Sequence, residues 1–404
     1  MRFLSLLLFF LVPSFILALY DLISAAALLD AHFRLGIQTL QLSSKKSSVV
    51  SLFSILTSLG ALNTGLEGKA SEEITEKIFN GMDKKKVNDW LYSWYTDESM
   101  ALKIYFDKNV TVKEEFLYKM FRYYFTDTEN VDFTSNAENL RQEINEFVEN
   151  KTAGHFREFY APGATFEKTQ ALMVNAIHMK KKWPLPFEAE KNRKDVFYGE
   201  GRKGWLERFY GKARKETFMT NNISFSGSTS ILRKTDEFTY AEITFDERWF
   251  RFFILMPPEN QTLSELAEKF INKRLGFTEM SFWNDAVSRR NVFGCCLNIT
   301  LPKFKAKSTF KLRTVLEKLG VETLFKNADF SGITNSPIQI SDILHKAKID
   351  VNEEGFSAPI PKVPREQWWG DCKNCKTERS IVANRPFFYG VLHNSIPKFI
   401  GQYY

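Results

Sequence analysis

Cysteine and histidine are scarce in this chain, with four and five residues among 404. So few thiols exclude a disulfide framework as the main source of stability. Cys295 and Cys296 are neighbours, and on a strand their side chains would point to opposite faces. Cys372 and Cys375 form a lone C-x-x-C in a polar stretch, read as a local disulfide or as two free thiols. A zinc site needs four ligands, and no second pair stands at finger spacing, so no metal is expected. After the first residues, no apolar run reaches the roughly 20 positions of a membrane span. No Pro/Gly/Ser linker, repeat or low-complexity tract divides the chain. Hydrolase and zinc-protease signatures are missing too: neither G-x-S-x-G nor H-E-x-x-H occurs. The one G-x-G-x-x-G, at Gly199, Gly201 and Gly204, has no βαβ rhythm around it and does not support a dinucleotide site. The expectation is a chain with no catalytic residue and no cofactor, and not an enzyme.

What the chain does have begins at its N-terminus. Arg2, an apolar run from Phe3 to Val12, then Ser14 and the small residue Ala18 have the layout of a secretory signal peptide. Residues 1–18 are read as that segment, and residues 19–404 as one secreted domain. Sequons at Asn109, Asn150, Asn222 and Asn260 fit export and glycosylation; Asn298 also has the pattern but sits in an apolar, strand-like run. Hydrophobic residues make up 44%, including 38 Phe, enough for a large core. Net charge is +7, and Lys180 to Lys215 alone holds twelve Lys/Arg against five Asp/Glu. Lys180, Lys181, Lys182, Arg202 and Lys203 are candidates for binding sulfated glycans, and a solvated face is the plainer alternative. Secretion argues against nucleic acid.

Apolar periodicity predicts helices over 21–42 and 70–80, and a capping-box pattern precedes two more, at Thr111/Glu114 and Ser135/Glu138. A fifth is predicted from Ser308 to Leu319, closed by Gly320. Strand-like runs occupy Leu172–Met179, Phe252–Met256, Lys346–Val351, Pro386–Leu392 and Lys398–Gln402. Helices gather in the first half and strands in the second, the order of an α+β domain.

Several separated blocks resemble one family. Ser51-Leu52-Phe53-Ser54 with Leu59-Gly60 resembles the serpin shutter segment, with Leu52 in place of the usual proline. Val174-Asn175-Ala176, Trp183 and Pro186-Phe187 resemble the block carrying the breach tryptophan. Leu301-Pro302-Lys303-Phe304, Leu319-Gly320, Phe325, Ala328-Asp329 and Ser331-Gly332 follow in family order. His345-Lys346-Ala347 leads to Val351-Asn352-Glu353-Glu354-Gly355, and Arg385-Pro386-Phe387-Phe388 and Phe399-Ile400-Gly401 resemble the last two strands. The chain is thereby identified as resembling a serpin. The resemblance implies three β-sheets, eight or nine helices and an exposed reactive-centre loop over about 355–384. It also implies a polar shutter cluster of Ser51, Ser54, Asn175 and His345, with Trp183 at the breach.

The bottom-up reading agrees on the loop: a polar stretch without periodicity separates two strands, and a structureless loop of that length is usually functional. Inhibitory serpins insert the cleaved loop as a new central strand. The hinge here reads Glu353-Glu354-Gly355-Phe356-Ser357-Ala358-Pro359-Ile360-Pro361. The resemblance puts Phe356 where Thr or Ser is usual, and Pro359 and Pro361 where small residues are. Each proline removes a ladder donor, and alternation turns Phe356, Ala358, Ile360 and Lys362 inward. Phe356 and the prolines are therefore expected to oppose insertion. Counting forward from Glu353 places the scissile bond at Trp369, and counting back from Asn384 places it near Cys375; Lys373, Lys376 and Arg379 would suit a trypsin-like protease. The functional expectation is a monomeric, non-inhibitory extracellular binding protein that meets proteases as a substrate. The alternative is an inhibitor of serine or cysteine proteases.

Overall fold

The computed structural model describes residues 26–43, 45–95, 99–166, 169–199, 213–224, 231–280, 296–357 and 378–404. Residues 1–18, read above as a signal segment, lie outside them. Helix α1 (residues 26–41) is followed by α2 (Leu52–Gly65), every residue of which is buried. A helix buried on every side sits inside a core, and α2 packs against two of the sheets and the helices that follow it. Those are α3 (Gly68–Lys77), α4 (Lys84–Ser93), α5 (Glu114–Tyr124), α6 (Ala137–Lys151), α7 (Leu263–Ile271), the short α8 (Phe277–Met280) and α9 (Arg313–Lys318). Nine helices and three sheets among the described residues match the implied α+β architecture.

The largest sheet runs β3 (Thr128–Val131), β2 (Ser99–Asp107), β4 (Ala171–His178), β13 (Ile340–Asn352), β14 (Gly355–Phe356), β5 (Lys181–Lys182), with β12 (Phe304–Lys311) on the far side of β13. The second is β1 (Ser48–Ser51), β17 (Ile396–Tyr403), β16 (Phe387–His393), β10 (Phe250–Met256), β9 (Thr239–Thr244) and β8 (Ile231–Lys234). The third is β15 (Glu378–Val382), β11 (Cys296–Pro302), β7 (Ala213–Ser224) and β6 (Arg193–Tyr198). β16 and β17 are buried along almost their whole length, as expected of strands covered on both faces.

Three sequence-based expectations need correction. The pattern at Thr111/Glu114 is not a cap: α5 is preceded by Lys113 without a side-chain cap, because Val112 is drawn into a bridge with Thr334. Ser135 does not cap α6 either. Its hydroxyl donates to Asp132 at 2.7 Å, and Asn136 caps the helix by accepting the Asn139 N–H. The helix predicted from Ser308 starts only at Arg313, because Phe304–Lys311 is strand β12, alternately buried and exposed along β13. Long-range pairing overrides the local helical pattern there. Gly320 does close α9, at φ +86°.

Candidate functional site

The hinge of the long loop lies at the top of the largest sheet. β13 ends at Asn352, the chain turns over Glu353-Glu354, and β14 returns antiparallel, pairing Val351 with Phe356 and Asn352 with Gly355. On its other edge β14 pairs with β5, Gly355 with Lys182 and Phe356 with Lys181. Gly355 is required: a Cβ there would stand 2.0 Å from the Lys181 carbonyl oxygen. Phe356 is fully buried, 5.7 Å from the ring of Phe399 and 6.4 Å from that of Phe252. This corrects the expectation that Phe356 resists insertion. It already occupies the first inserted position, because an aromatic pocket beneath the sheet receives it. The chain then leaves the sheet at Ser357, in the left-handed region at φ +55°. Ser357 and Asp350 exchange hydrogen bonds: the Ser357 N–H donates to the Asp350 carbonyl at 2.5 Å, and the Asp350 N–H to the Ser357 hydroxyl at 3.1 Å.

The turn itself is held from below. Trp183 donates its indole N–H to the Asn352 carbonyl and its backbone N–H to that of Glu354, both at 2.9 Å, while its ring stacks on Phe245 at 4.8 Å. The Glu353 carboxylate is buried, accepting from Asn192 Nδ2 at 2.6 Å and pairing with Lys303 at 2.9 Å. Burial pushes that carboxyl up, but the Lys303 and Asn192 contacts outweigh it and leave it below its ordinary range. Glu354 is buried too, with its N–H on Asn352 Oδ1 at 2.9 Å. Sequence reasoning assigned no role to Lys303, Asn192 or the Asp350–Ser357 exchange. Lys303 stood in a quoted family block, but its pairing with Glu353 spans fifty residues and leaves no local signal.

Below the hinge β4 and β13 are zipped together in parallel from Ile340/Ala171 to Ala347/Ile177. The predicted polar cluster lies on this seam. Asn175 Oδ1 accepts from the Ser54 hydroxyl and from His345 Nδ1 (2.9 Å), while its Nδ2 donates to the Ser54 carbonyl (2.8 Å) and the Ser58 hydroxyl. Both donors and both acceptor sites of the amide are used, as a buried Asn requires. The Ser51 N–H donates to His345 Nε2 at 3.1 Å, which fixes the imidazole proton on Nδ1. The Ser51 hydroxyl donates to the Lys398 carbonyl and caps α2 by accepting from Ser54 N. Burial pushes the His345 pKa down to about 3, so the ring is neutral at physiological pH. Ser58 is the member that the sequence reading missed.

The remaining predicted positions fall as follows. Ala358, Pro359, Pro361, Lys362, Trp369, Cys372, Lys373, Cys375 and Lys376 lie outside the described residues, as do Arg202 and Lys203. Arg379 is not a loop residue: it lies within β15, paired with Leu297 of β11, so the loop is bounded by Phe356 and Glu378 rather than extending to Asn384. Its pairing with β11 makes that backbone the edge of the third sheet. Asn109, Asn150 and Asn260 are exposed, whereas Asn222 lies in β7 opposite Asn298. Lys180 is exposed, but Lys181 is a poor glycan contact. Its ammonium pairs with Glu247 at 2.8 Å above the Phe250 ring, and 12% of its side chain is exposed. Lys182 is half-buried. Among the described residues no group of three or more His, Cys, Asp or Glu could hold a metal ion, and no helix is long and apolar enough to cross a membrane.

Comparison with known proteins places this geometry in context. The family model described as Serpin (serine protease inhibitor) matches residues 29–404. A leukocyte elastase inhibitor of Xenopus tropicalis is 25% identical over 371 residues, 87% of this chain and 90% of that protein. Among solved structures, Serpin48 of the insect Tenebrio molitor superposes with a TM-score of 0.75 at 23% identity, covering 94% of this chain and 97% of its own. Human thyroxine-binding globulin in complex with thyroxine does so with a TM-score of 0.73 at 19% identity, covering 94% and 98%.

Proposed function

This chain belongs to the serpin family, and from that premise we propose that it is a secreted, non-inhibitory member that acts as a monomeric extracellular binding protein. The family contains protease inhibitors and also binding proteins, so the loop must decide between them. The observation that carries the proposal is the exit at Ser357, where the chain turns out of the sheet and is tied to Asp350 by two hydrogen bonds. Insertion beyond Phe356 keeps the Ser357 N–H on the Asp350 carbonyl, the next rung of the β13–β14 register. It must, however, turn Ser357 out of the left-handed region, give up its hydroxyl contact to the Asp350 N–H, and separate β4 from β13, whose pairing continues from Ala347 down to Ile340. The incoming strand would bring Pro359 and Pro361, each leaving a ladder acceptor without a donor, at about 1–3 kcal/mol apiece, and would turn Lys362 toward the core. Trapping a protease is a race between insertion and hydrolysis of the acyl-enzyme, and these costs fall on the insertion side.

Incubation with a panel of serine and cysteine proteases, read on a denaturing gel, tests this. The expected result is a nicked chain and no covalent complex. A complex stable to denaturant overturns the proposal in favour of the inhibitor reading, which has one observation of its own: Gly355 and Phe356 already lie in the sheet as its first rung.

A further inference from the structure

Helix α5 carries two apolar faces, and the fold uses only one of them. Phe116, Met120 and Tyr124 point inward and are buried. Leu117, Phe121 and Phe125 repeat at the same four-residue spacing on the far side, where an amphipathic surface helix carries polar residues. All three are exposed, Phe121 by 75%. With Tyr118, and with Tyr92 near the end of α4, they make up five of the seven large hydrophobic side chains exposed among the described residues. Single exposed apolar residues are ordinary, but a group of them on one face marks an interaction surface.

The packing around this face holds it in a defined shape. Phe125 closes α5 in the left-handed region at φ +51°, an uncommon place for a bulky side chain. There its ring meets two others, stacked on Tyr92 at 5.6 Å and tilted on Tyr95 at 4.3 Å. Arg122 lies over the ring of Tyr92 at 4.6 Å and that of Tyr123 at 5.4 Å. The rings hold the guanidinium in place, and it forms no ion pair among the described residues. Glu114, exposed in the first turn and in helical register with Tyr118, Phe121 and Phe125, forms none either. Other charges at the rim are already matched, Lys119 with Glu115 at 2.7 Å and Lys85 with Asp89 at 2.9 Å.

We propose that this face is the docking site for an amphipathic helix of a partner protein, one with an apolar i, i+4 stripe, a carboxylate for Arg122 and a cation for Glu114. The proposal rests on the reading of the chain as an extracellular binding protein, to which it gives a contact surface. A ridge of residues four apart is what a second helix packs against. Tyr, Phe and Arg at the centre with matched charges around them is the composition of a protein interface. A bilayer suits it less, because Glu114, Glu115 and Asp89 would face anionic headgroups. Glu114 and Arg122 are eight residues apart, about 12 Å along the axis, so the partner's two charges should stand roughly two turns apart. Antiparallel packing puts the carboxylate toward the partner's N-terminus and the cation toward its C-terminus, as its own helix dipole favours.

The test uses the full-length protein and a fluorescein-labelled synthetic helix with Leu at i, i+4 and i+8, Glu near its N-terminus and Lys two turns later. A second peptide has the two charges exchanged. Fluorescence anisotropy should show tighter binding of the first peptide. Phe121→Asp should weaken it by about 30-fold, and Arg122→Glu should reverse the preference between the peptides. Both side chains are exposed, so an unchanged melting temperature is expected and separates a lost contact from a lost fold. Equal binding of the two peptides, or no effect of Phe121→Asp, overturns the proposal. So does co-sedimentation with phosphatidylcholine/phosphatidylserine vesicles that Phe121→Asp abolishes, which would assign the face to a bilayer. A concentration-dependent dimer abolished by Phe121→Asp would assign it to a second copy and overturn it as well. The protease gel reads the loop and not this face, so either test can fail while the other stands.

Discussion

His345 of β13 and Asn175 of β4 are direct register partners, joined by a hydrogen bond from Nδ1 to Oδ1 at 2.9 Å. This bond crosses the seam that any inserting strand must open. It ties the sheet to the start of α2 as well, because Ser51 donates to the other ring nitrogen and Ser54 to the same amide oxygen.

Stability should therefore fall on acidification. Burial holds the His345 pKa at about 3 against an ordinary 6.5, so the unfolded chain binds a proton between those values and the native one does not. The stabilisation is complete above pH 6.5 and is lost progressively as pH falls toward 3. His345→Gln keeps much of the volume without the titration. Denaturant midpoints at pH 7.5 and 5 should differ less for this variant than for the wild type. An equal pH dependence in both would assign the acid sensitivity to His32, His178 or His393, which burial also depresses.

Asn175→Ala removes the hub of the cluster. The Ser54 and Ser58 hydroxyls and His345 Nδ1–H would each lose a partner in a buried space, at about 1–3 kcal/mol per group that finds no substitute. A melting temperature lower by several degrees is expected, with no change in how proteases cut the loop. Unaltered melting would mean that buried water replaces the amide.

Much of this site was legible in the sequence because its members are small polar residues embedded in apolar runs: Ser54 within Leu52–Leu56, Asn175 within Leu172–Ile177, His345 within Ile343–Ala347. Such residues need partners, and the family resemblance said which. The fate of Phe356 was not legible, since propensity and alternation say which face it takes but not whether a pocket awaits it. That pocket is built from Phe252 and Phe399, distant in sequence and both on the second sheet. The β12 strand was misread for a related reason: Phe304, Ala306, Ser308 and Phe310 alternate inward, yet a short apolar run fits either period until β13 lies beside it.

If the chain is exported as proposed, the mature N-terminus should lie near Leu19. Glycan should appear on Asn109, Asn150 or Asn260, which are exposed, in preference to Asn222, which lies in the β7–β11 pair. Peptide mass spectrometry of material secreted from eukaryotic cells reads both. An intact Met1 with no glycan would count against secretion.

Cleavage of the loop should leave the protein without the large gain in stability that full insertion brings. After a cut between residues 358 and 377, the new end is free to follow Phe356 into the sheet, and only energetics decides whether it does. Each rung of a new central strand supplies main-chain hydrogen bonds, but Pro359 and Pro361 offer only their carbonyls and no N–H donor, and they come early, before distal rungs can offset the loss of the β4–β13 pairing. The Ser357 hydroxyl must also release the Asp350 N–H before the strand can continue past it. The nicked wild type should therefore melt within a few degrees of the intact protein. Pro359→Ala/Pro361→Ala should melt distinctly higher after the same cut, because the ladder can then propagate past Ile360. Phe356→Thr separates the two contributions. It empties an aromatic pocket and should lower the melting temperature of the intact protein, as large-to-small changes in a core do by about 3–5 kcal/mol, without raising that of the nicked form. A nicked wild type that gains tens of degrees would show that the prolines do not stop the strand, and the inhibitor reading would take precedence.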